Sequence, residues 1–263
     1  MTTQAHLFGA AGRTDDDQTL AELEVDYTPP AVAVQALLAL RDHGFLDGFL
    51  GDDCRRVLDP AAGSGCWGRA ARAVLGPVPY LVGVEPRLCE EGNIGNRAAY
   101  NMGHSLTLER FIEWRGERGW SRRAPFDLIA TNPPFSAFES YWPTMLRDAG
   151  LVAPGGLVVL YGLTQWGQSA QGIANLRRWS PSMQFRCGGR IAHRENGKTD
   201  AREYSVWVWD VEDRQRPGRG RPRWSTEQLP ELPLEMRRWS PSAVPGTYPI
   251  EPALVDEIRR RYL

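Results

Sequence analysis

The run Phe126-Asp-Leu-Ile-Ala-Thr-Asn-Pro-Pro-Phe135 limits this chain's fold more than any other segment. Its aliphatic and β-branched residues read as a buried strand that drives into two consecutive prolines. Neither proline donates to a sheet ladder and each has a fixed φ, so the strand stops there. The first proline also confines Asn132 to extended backbone. The strand's end therefore presents an amide side chain, nearby carbonyls and an aromatic ring as a preset unit. Such a unit accepts hydrogen bonds from a planar amino group while stacking on the ring that carries it. An ordinary strand-ending turn uses the same residue types, so the motif needs corroboration elsewhere.

The order of elements supplies a frame for it. Val25-Asp-Tyr-Thr-Pro-Pro30 opens a helix over Ala31–Leu40. Arg56–Asp59 reads as a short buried strand, ended by the small-residue turn Pro60-Ala-Ala-Gly-Ser-Gly65 and followed by a helix over 66–75. Further strands are expected at Tyr80–Glu85, Ser105–Phe111, Phe126–Thr131 and, after Pro154-Gly-Gly156, Leu157–Leu160. Helices are expected at Glu90–Met102 and Phe138–Ala149. This alternation predicts an α/β fold with a mostly parallel sheet and helices on both faces. Ser182–Ala192 and Glu203–Asp210 add an antiparallel terminal hairpin, bringing the sheet to seven strands. Residues 1–22 read as a flexible N-terminal segment, 23–212 as the folded domain, and 213–263 as an irregular Arg/Pro-rich extension with a short helix near Ala253–Tyr262.

Composition narrows the setting. The 263 residues are 42% hydrophobic and 24% charged, as in soluble globular proteins. No stretch approaches the ~20 apolar residues of a membrane span, and the first residues carry no basic or apolar leader. Cys54, Cys66, Cys89 and Cys187 are scattered, without a CxxC pair or a histidine cluster. That argues against a metal site or disulfide framework and for a reducing cytoplasm. A net charge of −1 gives no global attraction to nucleic acid, so any such contact must come from a local patch.

Gly63-Ser-Gly-Cys-Trp-Gly68 satisfies G-x-G-x-x-G between a strand and a helix, and Glu85 lies 20 residues after Gly65. Glycines there admit close backbone approach and the acid binds ribose hydroxyls, which points to an adenosine-containing cofactor at the sheet's carboxyl edge. A tight strand-to-helix turn alone would also use these glycines. Asp59-Pro60-Ala61-Ala62 places a carboxylate where a positive amino group can be held. Hydride transfer, moreover, has no use for Asn-Pro-Pro-Phe.

Together, Leu58-Asp-Pro-Ala-Ala-Gly-Ser-Gly65, Val84-Glu-Pro86 and Asn132-Pro-Pro-Phe135 resemble the amino-group DNA methyltransferases that use S-adenosylmethionine. Tyr27-Thr28-Pro29 resembles the motif that family carries before its glycine loop. The resemblance covers roughly residues 25–210, and Ser205-Val-Trp-Val-Trp-Asp210 after Gly197-Lys-Thr-Asp200 is also similar to small enzymes of phages and mobile elements. It implies a Rossmann-like class I methyltransferase fold, with 23–212 as the catalytic domain. It further implies that Asp59 interacts with the methionine end, that Pro60, Ala61, Gly63 and Gly65 line the cofactor, and that Glu85 bridges the ribose. Tyr27 and Thr28 would close over the methionine portion. The family's third strand usually carries an acid before an aromatic, against the adenine amino group. Here the run is Leu108-Glu-Arg-Phe111, so Glu109 takes that role in a shifted register or is a solvated charge.

On this resemblance Asn132, Pro133, Pro134 and Phe135 form the catalytic set. Hydrogen bonds accepted by Asn132 Oδ1 and the Pro133 carbonyl would orient a delocalised exocyclic amine toward the methyl group, so catalysis is positioning and electrostatics. A base inside a duplex must flip out at a cost of a few kcal/mol, and stacking on Phe135 would return roughly 1–3 kcal/mol. The expected substrate is DNA, at adenine N6. Alternatives are cytosine N4, an RNA base, a protein glutamine amide, or a silent nucleic-acid-binding module. Arg177, Arg178, Arg190, Arg194, Lys198 and the arginines at 214–223 are candidate phosphate contacts or simply solvated charges. Trp67, Trp207 and Trp209 read as core, while Trp142, Trp166, Trp179, Trp224 and Trp239 border a groove or pack loops. No Asp…Glu-x-Lys spacing marks a fused nuclease, and no residue speaks to a separate nuclease partner.

Overall fold

A computed structural model describes residues 28–47, 56–78, 80–86, 99–119, 125–134, 142–192, 201–211, 225–238 and 250–263. The segment 1–22, the body of the helix expected from Glu90 and the loop 193–200 lie outside the described residues. In chain order the elements are α1 (Pro30–Asp42), β1 (Arg56–Asp59), α2 (Cys66–Leu75), β2 (Tyr80–Val84), β3 (Met102–His104), α3 (Leu108–Glu117), β4 (Phe126–Thr131) and α4 (Trp142–Asp148). There follow β5 (Val152–Leu163), a 3₁₀ turn (Thr164–Gln168), α5 (Ala170–Arg178), β6 (Met183–Gly188), β7 (Tyr204–Asp210), β8 (Ser225–Glu231) and α6 (Pro252–Arg261).

The strands form one sheet in the order β3-β2-β1-β4-β5-β7-β6-β8. β3, β2, β1, β4 and β5 pair in parallel, and β7 runs antiparallel between β5 and β6. Successive residues of a strand face opposite sides, and the core divides accordingly. Val57, Leu128, Ala130, Val159 and Tyr161 face α1, α2 and α6, while Leu58, Ile129, Val158 and Leu160 face α3, α4 and α5. The prolines at 29 and 30 open α1 as expected, since a missing donor costs nothing at a helix's first position.

Three expectations need correction. The third strand is Met102–His104, and Ser105–Phe111 instead turns into α3, with the Thr107 side chain capping Arg110 N. Among the described residues the sheet has eight strands, because Ser225–Glu231, within the stretch expected to be irregular, pairs in parallel with β6. Pro154-Gly-Gly156 lies inside β5 rather than before it, where the register with β4 shifts between Phe126 and Leu128. A Cβ on Gly156 would come within 2.9 Å of Ala153 O and 3.0 Å of Asp127 O, so glycine permits that irregular passage. Among the described residues no helix is long and apolar enough to cross a membrane.

Two glycines make room for one aromatic ring. Tyr100, 6% exposed, lies between α2 and β2. A Cβ on Gly68 would stand 2.5 Å from its Cε1, and one on Gly83 2.6 Å from its Cδ2. The last glycine of G-x-G-x-x-G thus serves helix-to-sheet packing around Tyr100. Gly83→Ala is expected to destabilise the protein by about 1–3 kcal/mol through overpacking. Gly116→Ala, in an α3 position with nothing within 4 Å, should be neutral or slightly stabilising. Urea unfolding of both variants checks the contrast, and an unchanged midpoint for Gly83→Ala would show slack around the ring.

Candidate active site

The carboxyl ends of β1, β2 and β4 lie side by side, and the chain leaves each of them into a candidate segment. Asp59 closes β1 and is 1% exposed. Thr131 Oγ1, at the end of β4, donates to Asp59 Oδ1 at 2.6 Å, and the Tyr100 hydroxyl donates to Oδ2 at 2.6 Å. Burial pushes the Asp59 carboxyl up to about 6, against the hydroxyls of Thr131 and Tyr100 and the Ala61 amide, with Glu85 adding to the rise. Asp59 therefore braces the loop from beneath, both of its oxygens taken by internal donors, rather than standing on the open rim.

The loop above it is built from backbone hydrogen bonds. Ala61 N donates to Thr131 Oγ1 at 3.2 Å, Ala62 N to Val84 O at 3.0 Å, and Gly65 N to Ala62 O at 2.6 Å. Gly63 and Gly65 have φ of 44° and 75°, a region in which side chains are strained. Gly63 N donates to Glu85 Oε2 at 3.3 Å, and Glu85 N donates to His104 O at 3.0 Å. Ala61, Gly63 and Glu85 are half-buried, whereas Pro60 and Gly65 are buried. Glycine amides, a half-exposed carboxylate and a buried one beneath them suit a cationic, hydroxyl-bearing ligand.

Thr28 is buried and accepts a hydrogen bond from Trp67 Nε1 at 3.3 Å. This contact seats the segment before α1 against the start of α2, beside the glycine loop. Tyr27 and Phe135 lie outside the described residues. Asn132 follows Thr131 directly and is half-buried, with its amide oxygen shielded from solvent. Pro133 is buried and Pro134 exposed. Asn132, Pro133 and Pro134 are thus brought to the same sheet edge as Asp59, Ala61, Gly63, Gly65 and Glu85.

Glu109 is not a strand-end carboxylate. It sits exposed in the first turn of α3, because Leu108, Phe111 and Ile112 have the i, i+3, i+4 spacing of a helix face. The end of β3 instead carries His104, packed against Phe111 and Trp114, its ring held below the usual histidine range by partial burial and then by Arg115. Trp166 is core rather than groove, with edge contacts to Trp207 and Trp209. Among the candidate phosphate contacts, Arg177 and Arg190 are exposed and Arg178 pairs with Asp148 at 2.6 Å. Arg194, Lys198 and the arginines at 214–223 lie outside the described residues. Cys66 opens α2 with its thiol pushed up to about 12 by burial, so it stays protonated at neutral pH. Among the described residues no group of three or more His, Cys, Asp or Glu side chains is suited to a metal ion.

No protein-family model matches the chain, and no curated protein matches it in sequence. Solved structures do match its fold, which is that of the Rossmann-like class I methyltransferases. The type IIG restriction endonuclease BpuSI has a TM-score of 0.53 at 15% identity, over 84% of this chain and 29% of that one. The methyltransferase subunit of a type I restriction-modification system from Streptococcus thermophilus has a TM-score of 0.53 at 12% identity, over 90% of this chain and 52% of that one. A DrdV–DNA complex has a TM-score of 0.52 at 15% identity, over 87% of this chain and 31% of that one. This chain spans about half or less of the length of these three proteins.

The raised Asp59 carboxyl has a consequence for stability. Between about pH 4 and 6 the folded protein holds a proton on Asp59 that the unfolded chain has released, so this group's contribution to stability is present at low pH and lost as pH rises through 6. Compared with Asp59→Asn, the wild type should lose on the order of a few kcal/mol across that window. Denaturant unfolding of both proteins at pH 4, 5, 6 and 7 measures the difference, and parallel profiles would refute it.

Proposed function

We propose that this chain transfers a methyl group from S-adenosylmethionine to the exocyclic amino group of a base flipped out of DNA, adenine N6 before the alternatives. The observation that carries this reading is the junction at Thr131. Its hydroxyl joins the glycine loop, through Asp59 and Ala61, to the strand end that delivers Asn132-Pro133-Pro134. The residues read as holding an adenosine-containing cation thus share one edge of the sheet with an amide suited to orienting an amine. The fold shared with restriction-modification methyltransferases, and with a DrdV structure solved on DNA, supports DNA as the substrate.

When bound, S-adenosylmethionine supplies an activated methyl group on a positively charged sulfur. Ala61, Gly63 and Gly65 line it, Glu85 accepts from its ribose hydroxyls, and Asp59 sets a negative field beneath the loop. Thr28 would close the methionine side, a part that the sequence also assigns to Tyr27, outside the described residues. Asn132 Oδ1 and the Pro133 carbonyl would accept hydrogen bonds from the two N–H groups of the target amine. As its nitrogen takes the methyl group the bond from that group to sulfur breaks, a neutral thioether leaves and one amine proton passes to solvent. Stacking on the base stays the part the sequence assigns to Phe135, outside the described residues. The incoming base must reach an amide oxygen that the free protein shields from solvent. No side-chain nucleophile is needed, consistent with the protonated thiol of Cys66. Glu109 has no part in this reading. We take β8, which pairs with β6, and α6, which packs in the same core as α1, as part of the folded unit that carries the site.

Labelled methyl transfer to DNA, RNA and protein substrates, compared side by side, tests the substrate class. Label in DNA that resides in N6-methyladenine supports the proposal. Label confined to RNA, protein or N4-methylcytosine replaces it with that alternative. Asn132→Ala should keep cofactor binding while lowering kcat about 10²–10³-fold. Glu85→Ala should weaken the cofactor by roughly tenfold or more, as loss of a charged acceptor does. Calorimetry and steady-state kinetics separate the two, and full activity in Asn132→Ala would sink the assignment.

A further inference from the structure

We propose that Thr131 is the positioning residue that sets Asn132 against the glycine loop, and that the two oxygens of Asp59 serve two separable tasks. The proposal rests on the methyl-transfer reading of this site. Thr131 is 0% exposed, and its hydroxyl acts in opposite senses toward one neighbouring segment. It donates to Asp59 Oδ1 at the end of β1 and accepts from Ala61 N at the start of the loop. The main-chain pairing of β1 with β4 covers Val57–Leu128 and Leu58–Ile129 and goes no further. Pairing with β5 continues to Thr131 and Leu160, steadying β4 without relating it to the loop. Beyond Ile129, then, a side-chain hydroxyl spans the gap between the cofactor edge and the residue that would hold the base.

Tyr100 makes a different connection to the same carboxylate. Its hydroxyl holds Asp59 Oδ2, while its ring is lodged between Gly68 of α2 and Gly83 of β2. Those elements carry the glycine loop and Glu85. Tyr100 therefore orders the cofactor side, and Thr131 orders the cofactor side relative to the substrate side. Valine at 131 has nearly the same shape but takes the hydroxyl donor away from Asp59 Oδ1 and leaves the Ala61 amide with the Asp59 carboxylate as its acceptor. The loop and Asn132 then move apart. Misplacement by about 1 Å costs on the order of 10²-fold in rate.

The test uses Thr131→Val, Thr131→Ala, Thr131→Ser and Tyr100→Phe in the full chain. Three measurements are made on each: S-adenosylmethionine Kd by calorimetry, kcat on DNA at saturating cofactor, and amide hydrogen exchange at Ala61 in the free protein. Thr131→Val should lose about 10²-fold in kcat with a smaller change in Kd, and serine should restore kcat to within a few-fold. Tyr100→Phe should act on Kd more than on kcat. Ala61 should lose protection in Thr131→Val and keep it in Tyr100→Phe. Thr131→Ala gives the same comparison if the valine variant does not fold. Unchanged kcat and exchange in the Thr131 variants, no rescue by serine, or an equal loss of kcat in Tyr100→Phe would overturn the proposal. A wild type that binds cofactor yet methylates neither DNA nor RNA overturns the functional reading instead, and the exchange contrast still decides the role of Thr131.

Discussion

The arrangement depends on one buried carboxylate. Asp59 lies beneath the glycine loop with a hydroxyl on each oxygen, one from Thr131 in β4 and one from Tyr100 before β3. Removing a carboxylate from water is costly, and the cost is offset only while its hydrogen bonds are made with good geometry. Any relative shift of the three segments leaves a charged or polar atom unmatched in the interior. The penalty for misalignment is therefore steep, and it holds the ends of β1 and β4 in one relation to each other.

A second consequence of that burial concerns chemistry. A carboxyl poised near 6 by desolvation responds to whatever charge arrives above it. A cation seated over the loop favours its ionised form, so ligand and carboxylate each promote the other. Glu85, held by the Gly63 amide, extends the same acidic field outward to the half-exposed rim. The site is thus graded, from a desolvated charge below to a partly hydrated one above.

The sequence was most readable where apolar runs meet strong breakers. Arg56–Asp59 and Phe126–Thr131 are strands over the ranges expected from their residues, since the turn at Pro60 and the prolines after Asn132 end them abruptly. β8 does not show in the sequence because Ser-Thr-Glu-Gln-Leu-Pro-Glu buries only Leu229 and carries a proline, which an edge strand tolerates. β3 does not show in the sequence because Met-Gly-His has no alternation, and the Thr107 cap that starts α3 falls inside the segment that reads as a strand. In the site, local motifs located Asp59, Gly63, Gly65, Glu85 and Asn132. Their supports lay further off: Tyr100 is 41 residues from Asp59 and Thr131 is 72, distances at which no local pattern speaks. Only Thr131 leaves a trace, as a polar residue directly after the apolar run Leu128-Ile-Ala130.

One glutamine bonds to two carbonyls from the far end of the described chain. Gln35, 2% exposed in the middle of α1, donates through Nε2 to Pro230 O at 2.9 Å and to Tyr262 O at 3.2 Å. During synthesis α1 emerges long before those carbonyls exist. At 5–20 residues per second, on the order of ten seconds or more separate the two. Throughout that interval the greasy flank that α6 will later shelter stays open to water. A nascent chain of this kind invites chaperone capture, and an early stop before 252 would leave a sticky, incomplete product.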